Sequence, residues 1–258
     1  MIEAISRTDL VEASGGDVYA EVALRTGDVD GTVWAGDGAV LWTRDWHGRP
    51  SVTGVGTPAG VAAVLTHVAD ALQDAIRVSL PRGFADRLAP ALSFEPRSEW
   101  DWLWTDAAPP ALPHEPLVHW LGERDHDDVR ALLEEVSPDA SARPGDGRSR
   151  RWAGIRTGDG RLAACLADTS RAATVGHVSS VATAAEFRRN GYGAALTAWA
   201  TRAFLAEGRS PATLGMYSWN DGARRMYHRL GYVTAHSFAA GTLTRAPNVR
   251  RRALHIAS

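Results

Sequence analysis

Residues 181–194 read Val181, Ala182, Thr183, Ala184, Ala185, Glu186, Phe187, Arg188, Arg189, Asn190, Gly191, Tyr192, Gly193, Ala194. A strand candidate at 175–183 precedes the glycines, and the helical pattern Ala195, Leu196, Trp199, Ala203, Phe204 follows them. The stretch therefore reads as strand, glycine turn, helix. Consecutive backbone amides at a helix N-terminus, left uncovered by two glycines, form an anion site suited to a pyrophosphate. Arg188 and Arg189 add positive charge where phosphates would arrive. Strand-to-helix turns also use glycine for backbone reasons alone, so the surrounding elements must decide between the two readings.

Downstream, 212–218 is strand-like, 220–230 reads as a helix capped by Asn220 and ended by Gly231, and 232–243 has strand character. Upstream, Val129, Leu132, Leu133 and Val136 mark a helix over 125–135. Two apolar runs at 152–156 and 162–167 flank the hairpin signal Thr157, Gly158, Asp159, Gly160. The order is helix, three strands, helix, strand, helix, strand. That predicts an α/β (α+β) domain with a mixed central sheet flanked by helices.

The spacing Arg-x-x-Gly-x-Gly after Val181, Ala182 and Thr183 is followed some thirty residues later by Asn220, Asp221, Ala223, Arg224, Arg225, Tyr227, Leu230, Gly231 and Tyr232. This pair of motifs resembles the GCN5-related N-acetyltransferase (GNAT) superfamily, most closely its FR47-like subgroup, over roughly residues 117–243. The resemblance implies acetyl-CoA as cosubstrate, with Val181, Ala182 and Thr183 offering backbone groups to the pantetheine arm. It places the pyrophosphate on the amides of Arg189, Asn190, Gly191, Tyr192, Gly193 and Ala194, beside Arg188. Asn220 matches the asparagine that contacts the cofactor arm, and a plain helix cap is its other reading. Tyr227 matches the tyrosine that protonates the leaving thiolate; as a residue on an amphipathic helix it also reads as packing.

An amine acceptor needs a base, because an ammonium has no lone pair with which to attack a thioester. The resemblance puts that base eleven residues ahead of Arg188, where this chain has His177 in place of the usual glutamate. Histidine ionises near pH 6.5 and suits the role, and a strand histidine bonded to a neighbouring carbonyl is the equal alternative. Glu186, next to the glycine loop, reads as structural. His114 and His119 bracket Glu115 five residues apart with Pro116 between them, a spacing that does not make a helical zinc site, and no metal is expected.

The prolines at 109, 110 and 113 suggest an extended connector. It separates residues 1–107 from a catalytic domain at 114–246, with a basic tail at 247–258. In the first part, 18–24, 32–35, 39–43, 51–55, 76–80 and 94–105 read as strands, and 58–72 and 83–92 as helices. Laying 88–94 over 226–232 matches Leu92 and Phe94 to Leu230 and Tyr232 and puts Ala89 opposite Tyr227. Gly54, Val55 and Gly56 take the place of the glycine loop without a preceding arginine. The first part thus resembles a degenerate GNAT copy, an unrelated structural α/β domain being the alternative. Trp100, Trp102 and Trp104, at period two, read as packing, and Trp152 and Trp219 as candidates to line an acceptor cleft.

The chain has 258 residues, 28 basic and 30 acidic, every base an arginine, for a formal net charge of −2. That balance argues against a nucleic-acid partner. No apolar stretch is long enough to span a membrane, and no leader pattern is present, so a cytoplasmic protein is expected. The single Cys165 reads as strand packing. The expected activity is acetyl transfer to a primary amine, on a small molecule or on a protein or peptide, by a monomer or homodimer. A non-catalytic acyl-CoA-binding sensor or scaffold is the competing class.

Overall fold

The computed structural model describes residues 1–46 and 48–245. The stretch 247–258, read above as a basic tail, lies outside the described residues. Among the described residues two compact units are present: Met1–Trp100 with residues 236–245, and Asp101–Ala235. Both are α+β.

The first unit runs β1 (Glu3–Ile5), α1 (Leu10–Ala13), α2 (Val18–Arg25), β2 (Val33–Gly36), β3 (Ala39–Asp45), β4 (Pro50–Gly56), α3 (Pro58–Val68), β5 (Ala75–Pro81) and the start of β6 (Leu92–Thr105). The second unit takes up β6 at Asp101 and continues through β7 (Val118–Leu121), α4 (His126–Val136), β8 (Arg151–Arg156), β9 (Leu162–Asp168), β10 (Gly176–Thr183), α5 (Tyr192–Ala206), β11 (Ala212–Tyr217) and α6 (Asp221–Arg229). The last strand, β12 (Val233–Arg245), returns to the first unit at His236.

Strand order in the first unit is β1-β2-β3-β4-β5-β12-β6. There β4 and β5 are parallel, and β12 is antiparallel to β5 from Phe238 opposite Pro81 to Thr244 opposite Ala75. Val61, Val64 and Leu65 of α3 bury one sheet face with Leu41, Val52, Val78 and Leu80. Two expectations are corrected. Residues 18–24 form helix α2, not a strand: the Asp17 carboxylate accepts the amides of Tyr19 and Ala20 at 2.9 and 3.1 Å, and Tyr19, Ala20, Val22 and Ala23 bury a helical face. An apolar run this short fits either period, and the cap decides it. Residues 83–92 form only a 3-10 turn, Ala85–Arg87, because Pro90 has no amide to donate and holds Ala89 out of the helical region.

Strand order in the second unit is β6-β11-β10-β9-β8-β7, antiparallel from β7 to β10 and parallel between β10 and β11. Ala195, Leu196 and Phe204 of α5 cover one face with Ile155, Leu166, Val178 and Leu214. Val129, Leu132 and Leu133 of α4 cover the other with Cys165, Ala167 and Ala182. Cys165 is fully buried as packing, and burial pushes its thiol up to about 12. Trp152, expected near a cleft, is also core: it is 2% exposed and donates its indole N–H to Ser149 Oγ at 2.9 Å.

Candidate active site

The parallel pair β10 and β11 matches only at Gly176 with Ala212, His177 with Thr213, and Val178 with Leu214. Beyond Val178 the strands part. The cause is an extra residue in β10: against β9, Ser179 faces Ala167 while Ala182 faces Cys165, so three steps on β10 span two on β9. Ser180 takes up the bulge at φ +49°, held by hydrogen bonds between its hydroxyl and the Ala142 amide (3.0 Å) and carbonyl (3.1 Å). Side-chain alternation slips at the same point. Val178 and Val181 both pack on the α5 side, whereas Ala182 joins the α4 side. The backbone of Val181, Ala182 and Thr183 is thereby released from β11, leaving a strand edge open to another extended chain.

The glycine loop closes one end of this opening. Arg189 and Gly191 are left-handed, at φ +67° and +84°. Gly191 caps α5 with no side chain, and the first helical bond runs from the Ala195 amide to the Gly191 carbonyl at 2.9 Å. The amides of Tyr192, Gly193 and Ala194 therefore precede the helical ladder and are available to an anion. Arg188 turns back to donate from Nε to the Thr183 carbonyl at 3.3 Å. A Cβ on Gly193 would lie 3.7 Å from Met226 Sδ and 3.8 Å from both Thr183 Oγ1 and Val181 Cγ1. The loop, the released edge of β10 and helix α6 thus converge at Gly193.

Helix α6 brings Asn220 and Tyr227. Asn220 Oδ1 accepts the Ala223 amide at 3.0 Å, the capping role. Arg224 anchors the helix to buried Asp101 on β6 at 2.9 Å. Tyr227 is buried in the core that contains Val178, Leu214 and Met216, the residues where the strands part. Burial alone pushes its hydroxyl up to about 12, so it is a neutral O–H donor at ordinary pH.

His177 lies in the opening stretch of β10 that pairs with β11, pointing away from the α5-side core that takes its neighbour Val178. Its Nδ1 lies 2.7 Å from Thr213 Oγ1, whose proton goes to the Gly176 carbonyl at 2.9 Å. A hydroxyl has one proton, so with it on the Gly176 carbonyl, Oγ1 favours the tautomer in which Nδ1 carries the ring N–H. The His177 amide donates to Ser170 Oγ at 2.9 Å, and Ser170 in turn receives Arg209 Nη1 at 3.0 Å. His177 and Tyr227 belong to opposite faces of the sheet at the parting of β10 and β11. Glu186 is engaged by Arg161 outside this group.

Two features escaped sequence reading. Tyr217 and Trp219 stack at 5.8 Å and 12°, with Trp219 74% exposed. His114, weighed only as a metal ligand, packs edge to face on Tyr192 at 5.1 Å, at the glycine loop. The first is a local stack whose geometry spacing alone does not give, and the second joins residues far apart in the chain. No group of side chains among the described residues could hold a metal ion.

The acetyltransferase (GNAT) family matches residues 98–232. Among solved structures, a GNAT-family protein from Novosphingobium aromaticivorans is 25% identical, covers 94% of this chain and 100% of its own, and superposes with a TM-score of 0.55. GCN5-related N-acetyltransferases from Sphaerobacter thermophilus (17% identical, 96% of each chain, TM-score 0.59) and Kribbella flavida (20%, 90% and 97%, 0.53) share the fold. No curated protein matches the sequence. With that family matching more than half of its 258 residues, the chain belongs to the GNAT acetyltransferases and is an N-acetyltransferase, for which membership implies acetyl-CoA.

Proposed function

We propose that the second unit transfers the acetyl group of acetyl-CoA to a primary amine by direct attack. The observation that carries this reading is the parting of β10 from β11 beside an uncapped glycine loop. The amides from Arg189 to Ala194 would receive the pyrophosphate, and the released backbone of Val181, Ala182 and Thr183 the amide-bearing pantetheine arm. His177 Nε2, with its lone pair free in the tautomer that Thr213 favours, takes a proton from the acceptor ammonium. The freed nitrogen attacks the thioester carbonyl carbon; as the tetrahedral intermediate collapses the C–S bond breaks, and the second proton of the attacking nitrogen passes to the departing thiolate, giving the amide and free thiol. Tyr227 donates its O–H to the departing sulfur. Because an alkyl thiol ionises near 8.5 while burial holds Tyr227 at about 12, its main contribution is a hydrogen bond to the developing thiolate.

The first unit repeats the plan with its anion site closed, which supports the reading of residues 1–107 as a degenerate copy. Parallel β4 and β5 flank α3 as β10 and β11 flank α5. At the start of α3, however, Pro58 removes one amide and the Thr57 hydroxyl occupies that of Gly60 at 3.1 Å. Gly54 and Gly56 serve strand packing instead: a Cβ at either would lie 2.4 Å from a carbonyl oxygen of the β2–β3 hairpin. Where α6 stands in the second unit, the first has only the turn at Ala85–Arg87.

Calorimetry with acetyl-CoA, followed by thiol-release assays across small amines and peptides, tests the proposal. Binding with turnover on an amine is expected. Binding without turnover on any amine assigns the chain to the acyl-CoA sensors, and absence of binding overturns both readings.

A further inference from the structure

The proline-rich stretch between β6 and β7 does more than connect. Arg202 of α5 clamps it at three points: Nη1 donates to the carbonyls of Pro109 (2.9 Å) and Pro110 (3.1 Å), and Nη2 pairs with the Glu115 carboxylate. Glu115 also accepts the Leu112 amide at 2.7 Å, and Leu112 packs against the α5-side core. Prolines already restrict the stretch, so these anchors fix its path along α5 at little further entropic cost. The residue delivered to the N-terminus of α5 is His114. Its ring meets Tyr192 edge to face, and its Cδ2 lies 3.6 Å from where a Cβ on Gly191 would be. Nε2 is bonded to Cδ2, so that nitrogen borders the loop. Neither ring nitrogen bonds another described residue.

We infer that His114 is a further acyl-donor-binding residue, donating a ring N–H to the pyrophosphate held by the loop amides. The inference rests on the proposed use of that loop. A phosphate oxygen is an anionic acceptor, and a hydrogen bond to it from a positioned donor is of the stronger, charge-assisted kind. His114 would supply a directed side-chain donor that Arg188, turned onto Thr183, does not. The ionisable groups next to the ring are Tyr192 on α5, in contact with it, and Glu115, adjacent in sequence, whose charge is met by Arg202. A protonated ring is the stronger donor to an anionic phosphate oxygen, so donor affinity is expected to be higher in acid than in base.

Calorimetric titration of the full chain with CoA at about pH 6 and about pH 8 tests the inference. His114→Phe keeps the edge-to-face contact with Tyr192 and removes the N–H. It is expected to weaken CoA binding about tenfold at the lower pH and to lose most of the affinity difference between the two pH values. The 3′-phosphate of CoA also titrates near pH 6, equally in both proteins, so the comparison isolates the ring. His114→Gln restores an N–H without a titrating proton, and is expected to recover affinity at the higher pH but not its rise toward the lower. Wild-type binding matched by His114→Phe at both pH values overturns the role of His114 and leaves the loop reading intact. Failure of the wild type to bind CoA overturns both.

Discussion

Tyr227 and His177 do their proposed work through different neighbours. Tyr227 is surrounded by apolar groups, which hold its proton in place, so removing the hydroxyl removes a donor without opening a cavity. Tyr227→Phe is expected to lower kcat about 100-fold while leaving CoA affinity within about twofold, measured by thiol release and calorimetry. An unchanged kcat removes Tyr227 from the chemistry. His177 depends on Thr213, which favours the tautomer by passing its own proton to the Gly176 carbonyl. Thr213→Val preserves shape and deletes that acceptor. The expected result is a drop in kcat/KM of about tenfold, with a displaced acidic limb in its pH profile. If the profile and rate both match the wild type, Nδ1 of His177 plays no part in setting the base.

At the scale of elements, the glycine loop and the bulge in β10 make the site. Gly191→Ala forces an L-residue to φ +84° and is expected to cost about 1–2 kcal/mol, together with weakened acetyl-CoA binding, read by denaturation and calorimetry. The ends of β8, β9 and α5 are joined by fully buried Asp168, which Arg209 and Arg151 approach at 2.9 and 3.1 Å. Its burial opposes ionisation, but hydrogen bonds from Ser170 and Arg209 outweigh that and hold its carboxyl below the usual range. A depressed folded-state pKa contributes stability above the unfolded value near 3.9 and loses it as pH falls through the folded one. Asp168→Asn is therefore expected to destabilise by about 3 kcal/mol at neutral pH, with the gap to wild type closing below about pH 4. A gap independent of pH would assign the loss to packing. Elements with matched local signals were legible in the sequence: Asn220 and Gly231 bracket α6, and the strand–glycine–helix order of 175–205 appears as read. The register slip at Ser180 was not, because a bulge is set by what two strands bury on each face. Nor was α2, since its short apolar run suits two periods. His114 was invisible as a loop neighbour because Arg202, its anchor, lies far along the chain.

For the whole molecule, chain order and unit boundaries do not coincide. The first unit draws its β12 segment from the far end of the sequence, and that segment supplies more than an edge. Phe238 and Leu243 are 0% and 2% exposed, and the paired run from Phe238 to Thr244 covers all of β5. His236 Nε2 reaches Asp17 Oδ2 at 2.8 Å, beside the carboxylate oxygen that caps α2, and the Tyr19 ring packs 5.0 Å from Phe238. Ending the chain after Ala235 would forfeit about 2 kcal/mol of burial with each of the two large side chains it removes, uncover β5, and take away the partner of the α2 cap. Such a loss is comparable to the whole stability of a small domain. The expected outcome, read by hydrogen exchange, is loss of amide protection in β2 to β5 while β8 to β10 retain theirs. Equal protection of both regions in the shortened chain would show that the first unit folds without its last strand. Loss in both would show that the second unit depends on the first for its own cooperativity.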